Sequence, residues 1–161
     1  MNEIHDIATS VLDDDGSCRD LNFEGATWEG IHTLLEYALG SSTEREVTDG
    51  EGRIPSGTRA SDLVMSVKNS GSIRLLLKNC EGALVRHLQV FVFREVNGTP
   101  FVELTFFPED VAKVDDLRVA FLRWLQELCS MLGASRCYAR YENASWAFGD
   151  TRHGSGVFLV V

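Results

Sequence analysis

The sequence predicts an α+β domain: a mainly antiparallel sheet of about six or seven strands packed by two amphipathic helices. Three observations predict it. Apolar residues recur at helical spacing in two long stretches, 27–39 and 115–132. β-rich runs punctuated by turn residues fill most of the remaining chain. Short turns between consecutive strands force them antiparallel, because a parallel pair needs a crossover of a dozen residues or more. A chain of 161 residues suits one domain spanning 1–161. Apolar residues at 44% and charged residues at 24% supply a core and exclude global disorder.

Taken in order, residues 4–12 suit a short helix or a strand, and DDDGS at 13–17 is a turn cluster. Residues 18–24 alternate, with Leu21 and Phe23 on one face, and predict a strand. In the first long helix Thr27 offers a capping hydroxyl, and Glu29 suits the positive end of the helix dipole. Trp28, Ile31, Leu34, Leu35, Ala38 and Leu39 form its stripe, and Gly40 is expected to end it. Residues 40–60 are polar and rich in Gly and Ser, which predicts a long flexible loop with at most a brief strand near Val47. Strands are expected at 62–68 and 73–78 around Asn69-Ser70-Gly71-Ser72, then at 83–96 and 99–107 around Asn97-Gly98. Pro100 fits a strand end. Asp115 or Asp116 caps the second long helix, whose stripe is Leu117, Phe121, Trp124, Leu128 and Leu132, and Gly133 stops it. Strands near 136–142 and 155–161 complete the sheet, with SWAFGD at 145–150 as a turn or short strand between them.

The net charge is −9, from 15 Lys and Arg against 24 Asp and Glu, which disfavours direct nucleic-acid binding. Residues 1–51 hold 13 of the acids against two bases, Arg19 and Arg45, a subtotal of −11; the remainder carries +2. Such asymmetry marks either a surface for a basic partner or a solvated face kept for solubility. Cys18, Cys80, Cys129 and Cys137 form no C-x-x-C pair and are too few for a disulfide scaffold. Cys129 is expected as a buried inert thiol. The opening MNEIHDIATSVL lacks the pattern of a signal peptide, and no apolar run approaches the ~20 residues that span a bilayer, so a cytoplasmic location is expected.

No reaction motif emerges. Aligning Gly16 to a calcium loop puts Val11 at the first ligand position and Asn22 at the last, where oxygen ligands are required. His5, His32, His87 and His153 show no metal-ligand spacing. G-x-S-x-G and phosphate-loop patterns are missing, Gly154-Ser155-Gly156 lacks a nucleophile elbow's context, and Gly50-Glu51-Gly52 would meet an anion with acids. Neither cofactor nor metal is expected. Tyr138, Arg140 and Glu142 share one strand face; with Trp146 they suit either a recognition patch or cross-strand packing. Phe91, Phe93, Phe101, Phe106 and Phe107 read as core and strand packing. Glu103 with Asp115 and Asp116 can do the work of paired carboxylates only if burial splits their pKa values, and capping already accounts for one of the helix-start acids.

As a small acidic α+β domain with the opening DDDGSCRDLNFEGATWEG and no catalytic motif, the chain resembles bacterial immunity proteins of polymorphic toxin and contact-dependent inhibition systems. The resemblance implies a cytoplasmic inhibitor that binds a cognate toxin domain; the class shares no functional residues, so it transfers none. The expected partner is a basic toxin of nuclease type, met by Asp13, Asp14, Asp15, Asp20, Glu44, Glu46, Asp49 and Glu51 in or beside loops. The alternative is a small-molecule site or enzyme with a pocket between sheet and helices, using Tyr138, Arg140, Glu142, His87 and Glu103. A homodimer joined at a strand edge is a third option.

Overall fold

The computed structural model describes residues 6–142 and 156–161. Helix α1 (Ile7–Leu12) is capped by Asp6, whose carboxylate accepts from Ala8 N at 3.2 Å. Strand β1 (Arg19–Glu24) follows the acidic turn. Helix α2 (Trp28–Ser41) begins at Thr27, whose hydroxyl accepts from Gly30 N at 3.0 Å, and buries Ile31, Leu34, Leu35 and Ala38. It runs through Gly40 and passes directly into β2 (Ser42–Asp49), so Gly40 does not stop it.

The stretch expected as a loop over 40–60 therefore holds the end of α2, then β2, then β3 (Gly52–Arg53). Strand β2 has one core residue, Val47, and its other side chains are polar or charged, which hides it from a search for apolar alternation. Helix α3 (Ala60–Ser70) replaces the strand expected at 62–68. Ala60, Leu63, Val64 and Val67 are buried at i, i+3, i+4 and i+7, a helical stripe despite its β-branched valines. Gly71, at φ +101°, donates to Val67 O at 2.9 Å and ends α3, so 69–72 is a helix end and not a hairpin.

Strands β4 (Ser72–Cys80), β5 (Leu88–Arg94) and β6 (Pro100–Phe106) follow. Strand β5 is shorter than expected, because 81–87 leaves the sheet and Val85 bridges to Val111. Asn97-Gly98 turns the β5–β6 hairpin, with Gly98 at φ +84°. After a 3₁₀ turn at Pro108–Asp110, α4 (Leu117–Leu132) is capped by Asp116 on Val119 N at 3.1 Å and stopped by Gly133 at φ +65°. Strands β7 (Arg136–Tyr141) and β8 (Val157–Val160) complete the sheet. The expected turn at 145–150, and with it Asn143, Trp146, Gly154, Ser155, His5 and His153, lies outside the described residues.

Among the described residues the sheet has eight antiparallel strands in the order β3-β2-β4-β5-β6-β1-β7-β8, and four α-helices accompany it. The architecture is the expected α+β one, with more strands and helices than anticipated. Alternate residues define its two faces. Leu77 and Val90 point at Leu34 and Ala38 of α2 and at Trp124 and Leu128 of α4, so their row is the helix side. The core lies there, joined by Leu21, Phe23, Leu75, Val92, Leu104 and Phe106 of the sheet and by Leu63, Phe121 and Leu125 of the helices. The ends of α2 and α4 meet closely: Thr27 N donates to Leu132 O at 3.0 Å beside Gly30. The opposite row carries Glu103 and Thr105 of β6, Asp20 and Asn22 of β1, and Tyr138 and Arg140 of β7.

Candidate functional site

Strand order, invisible in the sequence, inserts β1 between β6 and β7. On the face turned away from the helices this aligns two rows of polar residues: Thr105, Asp20 and Arg140, then Glu103, Asn22 and Tyr138. Asp20, Asn22, Tyr138 and Arg140 are 6%, 1%, 2% and 3% exposed. Buried polar atoms demand partners. Thr105 Oγ1 donates to Asp20 Oδ1 at 2.8 Å, Asn22 Nδ2 to Glu103 Oε2 at 2.7 Å, and Arg140 Nη1 to Asn22 Oδ1 at 3.1 Å. Tyr138 OH donates to Glu24 Oε2 at 3.1 Å, and Cys18 N to Glu142 Oε2 at 3.4 Å.

Burial raises the Asp20 carboxyl above its ordinary value, against the pull of its Thr105 hydrogen bond. Burial raises Glu103 likewise, with the nearby Asp20 charge adding to it and Arg140 opposing it. Cys18, desolvated beside Asp20, is pushed up to about 12, so its thiol stays protonated. The arrangement is a cross-strand network that can hold a proton on either carboxyl.

Three of the residues proposed for a pocket between sheet and helices, Tyr138, Arg140 and Glu103, thus converge on the wrong face for it. The cavity that does lie between α2, α4 and the sheet is about 30 Å³ and lined mainly by apolar side chains. His87 sits in the loop before β5, away from the network, with Nδ1 2.7 Å from Asp110 Oδ1. Among the described residues no three His, Cys, Asp or Glu side chains are grouped to hold a metal ion.

The acids expected to meet a partner fall into two groups. Asp13, Asp14 and Asp15 are exposed in the α1–β1 turn. Asp15 Oδ1 accepts from Ser17 Oγ at 2.7 Å and Ser17 N at 3.0 Å, and from Arg19 at 3.3 Å; these bonds, those to Ser17 foremost, hold its carboxyl down at about 2. Glu44, Glu46, Asp49 and Glu51 lie along β2 and its hairpin with β3, a strand and turn where a loop was expected. Glu46 pairs with Arg53 at 3.0 Å beside a groove of about 310 Å³ that Leu39, Arg45 and Thr58 also line. Asp49 Oδ1 accepts from Glu51 N and Gly52 N at 2.8 and 3.1 Å and so caps the hairpin. Four strand spacings separate β2 from β1, or about 19 Å at ~4.8 Å each. Asp20, expected beside a loop, is inside β1 and belongs to the buried network.

A chain from the crystal structure of the toxic C-terminal tip of CdiA from Pseudomonas aeruginosa in complex with immune protein shares this fold. The two align with a TM-score of 0.53 at 15% identity, over 89% of this chain and 94% of that one. No protein-family model and no curated protein matches the sequence. At that identity the likeness is one of fold.

The residue most easily overlooked in the sequence is Arg19. Its side chain is fully buried and donates to the carbonyls of Ser10, Asp13, Ser17 and Cys18, while its guanidinium lies 4.4 Å from the Tyr141 ring centroid. It clamps the acidic turn onto β1. The one sequence signal for this is its position as the first base amid a run of acids, in phase with Leu21 and Phe23 on the buried side of a strand.

Proposed function

We propose that this chain is an immunity-type inhibitor that binds and neutralises a cognate basic toxin domain of nuclease type in the cytoplasm. The observation that carries the reading is the fold shared, over nearly the whole of both chains, with a member of a toxin–immune protein complex. Charge indicates which side of such a complex this chain belongs on. A nuclease must approach phosphate, and a chain of net charge −9 repels it; an inhibitor of a nuclease gains from the same charge. The contact set is Asp13, Asp14, Asp15, Glu44, Glu46, Asp49 and Glu51, with Asp20 supporting β1 from within. No helix among the described residues is long and apolar enough to cross a membrane, which is compatible with this role.

The test uses the product of the neighbouring gene as the candidate toxin. Glu44→Lys, Glu46→Lys and Glu51→Lys are combined, and Asp49 is kept because its loss would open the hairpin. The expected result is binding weakened by ~10-fold or more, weaker protection against the toxin, and a shallower salt dependence. Unchanged affinity and unchanged salt dependence in a folded variant would overturn the acidic interface.

A further inference from the structure

Strand β2 is paired along its whole length on one side and along only part of it on the other. Inward it pairs with β4 from Ser42 to Asp49. Outward, β3 pairs with Thr48 and Asp49, Ile54 N donates to Val47 O at 2.8 Å, and there the pairing stops. In an antiparallel ladder alternate residues turn both backbone groups toward the same neighbour. Val47 turns outward, so Arg45 and Thr43 turn outward with it, past the end of β3. Both are exposed, and among the described residues no strand pairs with either on that side. Residues 54–58 form no ladder with β2 and instead wall a groove of about 310 Å³, whose apolar lining is Leu39, Val47, Ile54 and Pro55. Arg45 folds its guanidinium back onto the Leu39 carbonyl. On the other face of the strand Glu44 is exposed, and Glu46 pairs with Arg53 at 3.0 Å.

Resting on the immunity reading above, we propose that this open edge takes an extended segment of the toxin as an added strand, held by the backbone groups of Thr43 and Arg45. A row of unpaired N–H and C=O groups is a template for any strand, and the side chains beside it decide which one. Side chains of an added strand alternate between the two faces. Those on the face of Glu44 and Glu46 come within about 5 Å of these acids, which favours Lys or Arg there. Those on the other face meet the groove, whose lining favours an apolar side chain. The occupant is therefore an extended run of alternating basic and apolar residues. A second copy of this chain fits poorly. Paired antiparallel, it would set Glu44 and Glu46 of both copies side by side on one face, between chains that each carry a net charge of −9.

The test reads amide hydrogen exchange residue by residue in the full chain, alone and bound to the toxin domain encoded by the neighbouring gene. In the free chain Thr43 and Arg45 are expected to exchange fast, while Glu44 and Glu46, whose amides bond to β4, exchange slowly. In the complex Thr43 and Arg45 are expected to slow by ~100-fold or more. Arg45→Pro deletes the outward N–H, and an edge strand tolerates it because that group bonds no neighbouring strand in the free chain. It is expected to weaken binding ~10-fold or more, whereas Arg45→Ala, which keeps the N–H, costs less than ~3-fold. A toxin that binds while both amides stay fast, or that binds folded Arg45→Pro as it binds the wild type, overturns strand addition and leaves the immunity reading standing. A wild-type chain that binds no toxin overturns that reading and this one with it. Slow exchange at both amides in the free chain, with a dimer mass in sedimentation, overturns the choice of partner in favour of a second copy. Because the exchange map is made on the wild type, the test holds even if Arg45→Pro does not fold.

Discussion

At the scale of single residues, desolvated charges of opposite sign are treated in opposite ways. Arg19 is satisfied by backbone carbonyls and by Asp15, so its ionised form is what the fold is built around. Asp20 and Glu103 are desolvated more than they are compensated, and both carboxyls are raised. A group whose pKa is higher folded than unfolded favours the fold fully below its unfolded value and loses that contribution as pH rises through the folded one. The ordinary values are 3.8 and 4.5, so the loss begins near there and continues upward. Asp20→Asn and Glu103→Gln keep an oxygen that accepts from Thr105 and Asn22 and remove the titrating proton. We expect each single variant to match or fall below the wild type in Tm below about pH 4 and to exceed it near pH 7. Thermal melts across that range check this; a Tm difference that does not change with pH would show that desolvation of these carboxyls is not what the network costs.

At the scale of elements, two glycines in one helix separate packing from propensity. A methyl group on Gly30 would sit 2.2 Å from the backbone oxygen of Leu132, which cannot yield without moving α4 from α2. Gly40 lies in the last turn of the same helix with nothing within 4 Å of such a methyl. Gly30→Ala is therefore expected to cost about 1–3 kcal/mol and Gly40→Ala to stabilise by up to ~1 kcal/mol, both read by urea unfolding. Equal effects at the two sites would refute the close contact of the helices. What was legible in the sequence follows the same division between local and tertiary causes. Helices α2 and α4 have caps and stripes within themselves, and the β5–β6 hairpin carries its own Asn-Gly turn. Strand β2 exists because β4 pairs with it along most of its length, and its sequence STEREVTD has no apolar rhythm to announce that. Helix α3 looks like a strand in the sequence because Val64 and Val67 favour strands in isolation, while their spacing fits the helix that covers the sheet. The polar network was half legible: alternation put Tyr138 and Arg140 on one face. Only the placement of β1 between β6 and β7 brings Glu103 to the other side of Asn22.

At the scale of the molecule, the seven acids proposed as contacts are held by two separate devices. One is the turn clamped by Arg19; the other is the β2–β3 hairpin at the far margin of the sheet, about 19 Å away by strand spacing. A partner that senses both must be broad, and a partner that senses one must leave the other silent. Charges this far apart and without shared partners act independently, so their effects on binding should add to within ~0.5 kcal/mol. Screening shortens their reach to about 8 Å at physiological salt, which leaves no path for one group to act through the other. A cycle of Asp13→Lys with Asp14→Lys, Glu44→Lys with Glu51→Lys, and all four together decides the matter. Association rates with the toxin domain, measured by stopped flow at low and physiological salt, are the readout. For a basic toxin spanning the sheet, each pair is expected to slow association several-fold at low salt, the two effects to multiply, and both to shrink as salt rises, with little change in dissociation. Loss confined to the hairpin pair would place the partner at the β2–β3 margin and leave the turn a structural role, in which Arg19 holds the Asp15 carboxylate and the Asp13 carbonyl. Loss in neither, with binding intact, would assign the charge asymmetry to solubility and return recognition to the uncharged surface.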